Sequence, residues 1–137
     1  SHGIEQLQNA ELYPTAVGKL PDALRRRLDR PVVPADRLDL AALGYRFYRA
    51  GDCHVPGDGA AHLVYRAEDP AKAGDAISLW IRPADGKLGI EPGRVYEAAD
   101  ANSAHPMLVW KYEGNVYYLL GNAMTSLRQA AEHIRPG

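Results

Sequence analysis

Cysteine is almost absent from this chain: Cys53 is the only one in 137 residues, which excludes an internal disulfide framework. The compartment stays open, because a domain of this length is stable in an oxidising environment without a bridge. Long hydrophobic runs are missing as well. No stretch approaches the roughly 20 apolar residues that span a bilayer, and no signal-peptide pattern is read. Excess charge of one sign is also lacking. The formal net charge of −1 gives no overall attraction to nucleic acid or to an anionic membrane surface, so neither is expected to bind this stretch. Phenylalanine occurs once against eight tyrosines and two tryptophans. Tyrosine covers apolar sheet surface while its hydroxyl stays wet, so this imbalance points to sheet packing. Internal repeats and low-complexity segments are lacking too.

What remains is an ordinary globular composition, 46% apolar and 24% charged, in a chain long enough for one core. Residues 1–18 show no clear periodicity and are read as a loosely packed N-terminal segment, with a single domain over 19–137. Leu20, Leu24 and Leu28 recur every four positions, which predicts a helix with Pro21 in its first turn. Arg25, Arg26 and Arg27 beside that face read as a solvated surface balanced by Asp22 and Asp29 rather than as a nucleic-acid patch. Leu38, Leu40 and Leu43 predict a short helical turn closed by Gly44.

Strand signals follow. Tyr45–Ala50 and Ala61–Arg66 flank the turn-rich Pro56-Gly57-Asp58-Gly59, and Ile77, Leu79 and Ile81 alternate with Ser78 and Trp80 up to Pro83. The stretch 84–104 carries only a weak helical signal near Val95–Ala99. Met107–Tyr112 and Val116–Leu120 enclose Glu113-Gly114-Asn115 as a second hairpin. A closing helix places Leu127, Ala130, Ala131 and Ile134 on one face, with Ser126 and Gln129 at capping-box spacing. Short turns favour antiparallel pairing. The expected fold is therefore α+β: about five antiparallel strands, with an N-terminal and a C-terminal helix packed on the sheet.

The chemistry-bearing residues are Cys53, His54, His62 and His105. A two-residue loop at Gly57-Asp58 sets Cys53 opposite His62, about 4.5–5.5 Å apart at Cβ. A three-residue loop with Gly59 in the bulge position sets His54 opposite His62 instead. Two imidazoles and a thiolate suit zinc or copper, with His105 a further ligand and Met107 a soft one. No pair has zinc-finger or metalloprotease spacing, so a buried thiol among ordinary polar sheet histidines accounts for the same residues. Cys53-His54 lacks the first cysteine of a haem-attachment motif. Gly57-Asp58-Gly59 lacks the tail of a phosphate loop. Cys53 as a nucleophile has no orienting third group or oxyanion turn, so no enzyme is expected.

The order of these strings resembles the extracytoplasmic domain of transmembrane anti-sigma factors. Leu20-Pro21-Asp22-Ala23-Leu24 and Asp39-Leu40-Ala41-Ala42-Leu43-Gly44 look like its opening helix and turn. Ala61-His62-Leu63-Val64-Tyr65, Ile77–Pro83, Leu108-Val109-Trp110, Gly114, Tyr117-Tyr118 and the helix from Leu127 to Ile134 look like its strands and last helix. Some relatives of unassigned function also carry a cysteine ahead of an Ala-His-Leu-Val string. The resemblance implies a non-enzymatic, periplasmic sensory or interaction domain that meets a protein partner or envelope signal. The sigma-binding zinc-finger segment and the membrane helix of that family are not in these residues. Small metal- or haem-binding proteins using Cys53 and His62 are the rival class.

Overall fold

A computed structural model describes residues 16–55, 58–72, 74–86, 89–99 and 105–136; for 52–55, 58, 59 and 99 it describes the backbone alone. Most of the expected N-terminal segment lies outside these residues. Helix α1 spans Leu20–Leu28 with Pro21 in its first turn. Asp22 near its start and Arg25, Arg26 and Arg27 in its last turn complement the helix dipole. Leu20, Leu24 and Leu28 are buried, and Asp29 ends the helix in the left-handed conformation at φ 55°. A short helix α2, Ala35–Leu38, follows the proline-rich link, and a 3-10 turn, Ala41–Leu43, ends on Gly44 at φ 87°.

The strands are β1 (Tyr45–Val55), β2 (Asp58–Ala67), β3 (Ala76–Pro83), β4 (Tyr96–Ala99), β5 (Pro106–Tyr112) and β6 (Asn115–Leu120). They form one antiparallel sheet in the order β1-β2-β3-β6-β5-β4. Six strands replace the five expected. The additional one, β4, occupies the stretch read as weakly helical, because Tyr96 and Ala98 pair with Val109 and Met107 at the sheet edge. Pairing with a neighbour overrides a weak local preference. The β5–β6 turn is tighter than expected: Asn115 already pairs with Tyr112, and Glu113 and Gly114 both have positive φ, 49° and 82°, as a two-residue hairpin loop requires.

Helix α3, Met124–Ile134, closes the chain with Leu127, Ala130, Ala131 and Ile134 buried. The capping box is not formed. The helix starts two residues earlier than Ser126, and its cap residue Ala123 makes no side-chain bond. Gly121 explains the tight entry: a Cβ there would sit 2.9 Å from Leu127 Cδ2.

All three helices place their buried side chains in one cluster with Leu63, Tyr65, Ile77, Leu79, Ile81, Leu108, Trp110, Tyr117 and Leu119. Leu79, Ile81, Leu119, Leu127 and Ile134 are buried in it, and Val109 is buried as well. Polar tethers hold the helical layer to the sheet. Tyr65 donates its hydroxyl to the Leu38 carbonyl at 2.8 Å, the Val33 amide donates to the Tyr117 hydroxyl at 3.3 Å, and Asn115 Nδ2 donates to the Pro31 carbonyl at 3.0 Å. Each bond satisfies a group that burial would otherwise leave costly.

Candidate functional site

Strand alternation divides the sheet into two faces. In β2, Ala61, Leu63 and Tyr65 are buried under the helices, which sends His62, Val64 and Arg66 to the other face. In β3, Ser78, Trp80 and Arg82 share that second face, on which none of the three helices lies. The register carries one row across all six strands: Gly51, His62, Trp80, Tyr118, Val109 and Tyr96 stand opposite one another in turn. His62, Trp80, Tyr118 and Tyr96 are half-buried, and small Val109 is sheltered between its larger neighbours.

The rings of this face are already engaged on their flat sides. His62 and Trp80 stack with centroids 4.2 Å apart and planes within 6°. The Arg66 guanidinium lies 3.6 Å from the Tyr48 ring centre, that of Arg82 5.4 Å from Tyr118, and that of Arg94 5.4 Å from Tyr96. Among the described residues Tyr48 is the large apolar one most open to solvent, 39% exposed. It is the extra residue of a bulge between Phe47 and Arg49.

His62 is the described site residue with a shifted titration. Burial lowers its pKa to about 4, because desolvation penalises the imidazolium, so the ring is neutral at pH 7. Its Nε2 is shielded from solvent and meets no hydrogen-bond partner among the described residues.

The expected ligand pairs do not face one another. His62 is opposite Gly51, Cys53 is opposite Ala60, and His54 is opposite Gly59. The cause is the turn. β1 runs to Val55 and β2 begins at Asp58, so only residues 56 and 57, outside the described residues, separate the strands. The loop begins one residue earlier than in either expected register, which makes Gly51 the partner of His62, two residues back along β1 from Cys53 and three back from His54. Cys53 is then diagonal to His62 rather than opposed. His105 is not brought near them. It precedes β5 by one residue, four positions before Val109 in the His62 row and three strand spacings across, on the order of 20 Å from His62. Met107, expected as a soft ligand, lies in β5 opposite Leu120, two positions before Val109 and the same three strand spacings across, on the order of 16 Å from His62. Among the described residues no three His, Cys, Asp or Glu side chains are grouped to hold a metal ion.

Sequence reading missed Tyr48, Arg49, Arg66, Trp80 and Tyr118 as surface residues of one face. A signal was present in Trp80, which takes the solvent parity of an Ile-Ser-Leu-Trp-Ile alternation. A second concavity, a cavity of about 480 Å³ lined by Tyr45, Glu68, Asp69, Lys72, Asp75 and Ser126, is structural at its base: Tyr45 donates to Asp75 Oδ2 at 2.7 Å.

No protein-family model, no curated protein and no solved structure matches the chain.

Proposed function

We propose that this chain is a non-enzymatic sensory or interaction domain of the extracytoplasmic, anti-sigma-factor type, and that it meets its partner through the sheet face opposite the three described helices. One observation carries the reading: a row of large side chains, His62, Trp80, Tyr118 and Tyr96, stands half-buried on a six-stranded sheet with none of the three described helices over it. Large aromatic side chains left partly open in one row are a candidate interaction site. The reading also draws on the family resemblance carried by the strings from Leu20 to Ile134.

The test is a photo-crosslinking residue at position 80, compared with one at exposed position 128 on α3, in cells of the source organism. The reading expects a partner adduct from position 80 and none from position 128. Adducts from position 128 alone, from neither position, or reproducible turnover by the domain alone would sink it.

A second reading, a small metal- or haem-binding protein using Cys53 and His62, is favoured by the neutral His62 ring and its unpartnered Nε2. Titration with zinc, copper(I) and haem decides it. Tighter binding to the parent than to Cys53→Ala and His62→Ala supports the site, and equal binding removes it.

A further inference from the structure

Arg46 and Arg66 are both exposed and stand directly opposite each other across β1 and β2. Like charges in that position destabilise a sheet. Arg49 adds a third guanidinium two register positions away, 5.6 Å from the same Tyr48 ring that Arg66 covers. At the other end of the face, Arg82 and Lys111 both oppose Val116. No strand position of this face with a described side chain carries a carboxylate. The face is thus cationic at two ends and apolar between them, through Val64, Trp80, Tyr118, Leu120 and Met107, although the whole chain carries a net charge of −1.

We propose that this face of the sheet binds an acidic amphipathic helix of a protein partner, its carboxylates meeting Arg46, Arg49 and Arg66 at one end and Lys111 at the other. The proposal rests on the interaction-face reading above and names the partner's chemistry. Four considerations select this occupant. A second copy of the chain brings the same cations to the contact and repels. Single-stranded nucleic acid needs open ring faces for its bases, and one face of each ring is already covered: His62 and Trp80 stack on each other, and Tyr48, Tyr96 and Tyr118 carry guanidinium groups. A helix laid on the sheet buries an apolar stripe against it, as α3 does on the opposite face. Guanidinium groups match carboxylates in bidentate geometry. The two cationic ends are separated by the length of β3 from Ala76, opposite Arg66, to Arg82, about 20 Å, which calls for a helix of about 13 residues.

The experiment uses the whole chain and an 18-residue Leu/Glu amphipathic peptide, with its Leu/Lys counterpart, an 18-nucleotide oligo-dT and the protein alone as comparisons. The Leu/Glu peptide is expected to bind, to weaken as salt rises, and to bind at least tenfold more weakly to R49E/R66E. The charge-neutral pair R49Q/K111Q should weaken it in the same direction, with thermal melts establishing that each variant is folded. R128E, on the helical layer, should leave binding unchanged. Equal or tighter binding of the Leu/Lys peptide or oligo-dT, no binding of the Leu/Glu peptide, indifference to both folded variants, or self-association of the protein through this face would overturn the proposal. An adduct from position 80 with nucleic acid or a basic protein would overturn it while leaving the interaction face standing. Absence of any adduct from position 80 removes both.

Discussion

His62 and Trp80 stack at 4.2 Å with planes within 6°, on the sheet face over which none of the three described helices lies. The stack shelters an ionisable ring, and its pKa falls to about 4 through burial. In the unfolded chain the same ring titrates near 6.5. Between these values the unfolded state binds more protons, so His62 makes stability fall as pH drops from about 6.5 to about 4. Its contribution is flat above and below that window. The loss is at most about 3 kcal/mol. Urea midpoints measured from pH 8 to pH 3.5 should show this slope in the parent and a shallower one in His62→Phe. Identical slopes would mean that His62 is not shielded.

Leu127 is fully buried and lies over Gly121, where a Cβ would come within 2.9 Å of its Cδ2. Leu127→Ala should cost about 2–5 kcal/mol by urea unfolding. Gly121→Ala should cost about 1–3 kcal/mol through overpacking. The two effects share one contact, so the double variant should be more stable than the added single losses require, by about 0.5–3 kcal/mol. Strict additivity would separate the helix α3 contact from the glycine.

The helical layer was legible in the sequence because its signal is strictly local: Leu20, Leu24 and Leu28, and Leu127, Ala130, Ala131 and Ile134, each define a buried face by spacing alone. The β3 alternation was legible for the same reason. The site was not. Its register depends on one bulge at Tyr48 and on a hairpin turn that begins one residue earlier than expected. Displacing a two-residue loop by one residue slides the pairing by two positions, which keeps each residue on its face but changes every opposed partner. Cys53 and His62 are therefore close in the sequence pattern yet not opposed in the sheet. His105 is separated from them by the order β2-β3-β6-β5, a long-range arrangement that no local string encodes.

Tyr65 is fully buried and its hydroxyl donates to the Leu38 carbonyl at 2.8 Å. Burial, with the Asp39 charge nearby, pushes its pKa well above the usual phenol range, so it stays a neutral donor. Tyr65→Phe keeps the ring but strands that carbonyl. The expected loss is about 1–3 kcal/mol, read by urea unfolding at pH 7. A loss near zero would show that the carbonyl finds water or another donor.

Arg46 facing Arg66 sets stability against recognition. The two exposed guanidiniums oppose each other on one face, and Arg66 is further held over Tyr48 at 3.6 Å, so it cannot turn aside without losing that contact. Replacing Arg46 by Glu converts a like-charge pair into an opposite-charge one. The variant should be more stable than the parent by a few tenths to about 1 kcal/mol at low salt, and the gain should shrink as salt screens the pair. The same substitution places a carboxylate where the proposed acidic helix docks, so affinity for the Leu/Glu peptide should fall as stability rises. A surface shaped only by folding would show no such opposition. Arg46→Glu that is less stable than the parent, or more stable with peptide affinity intact, would separate this arginine pair from binding.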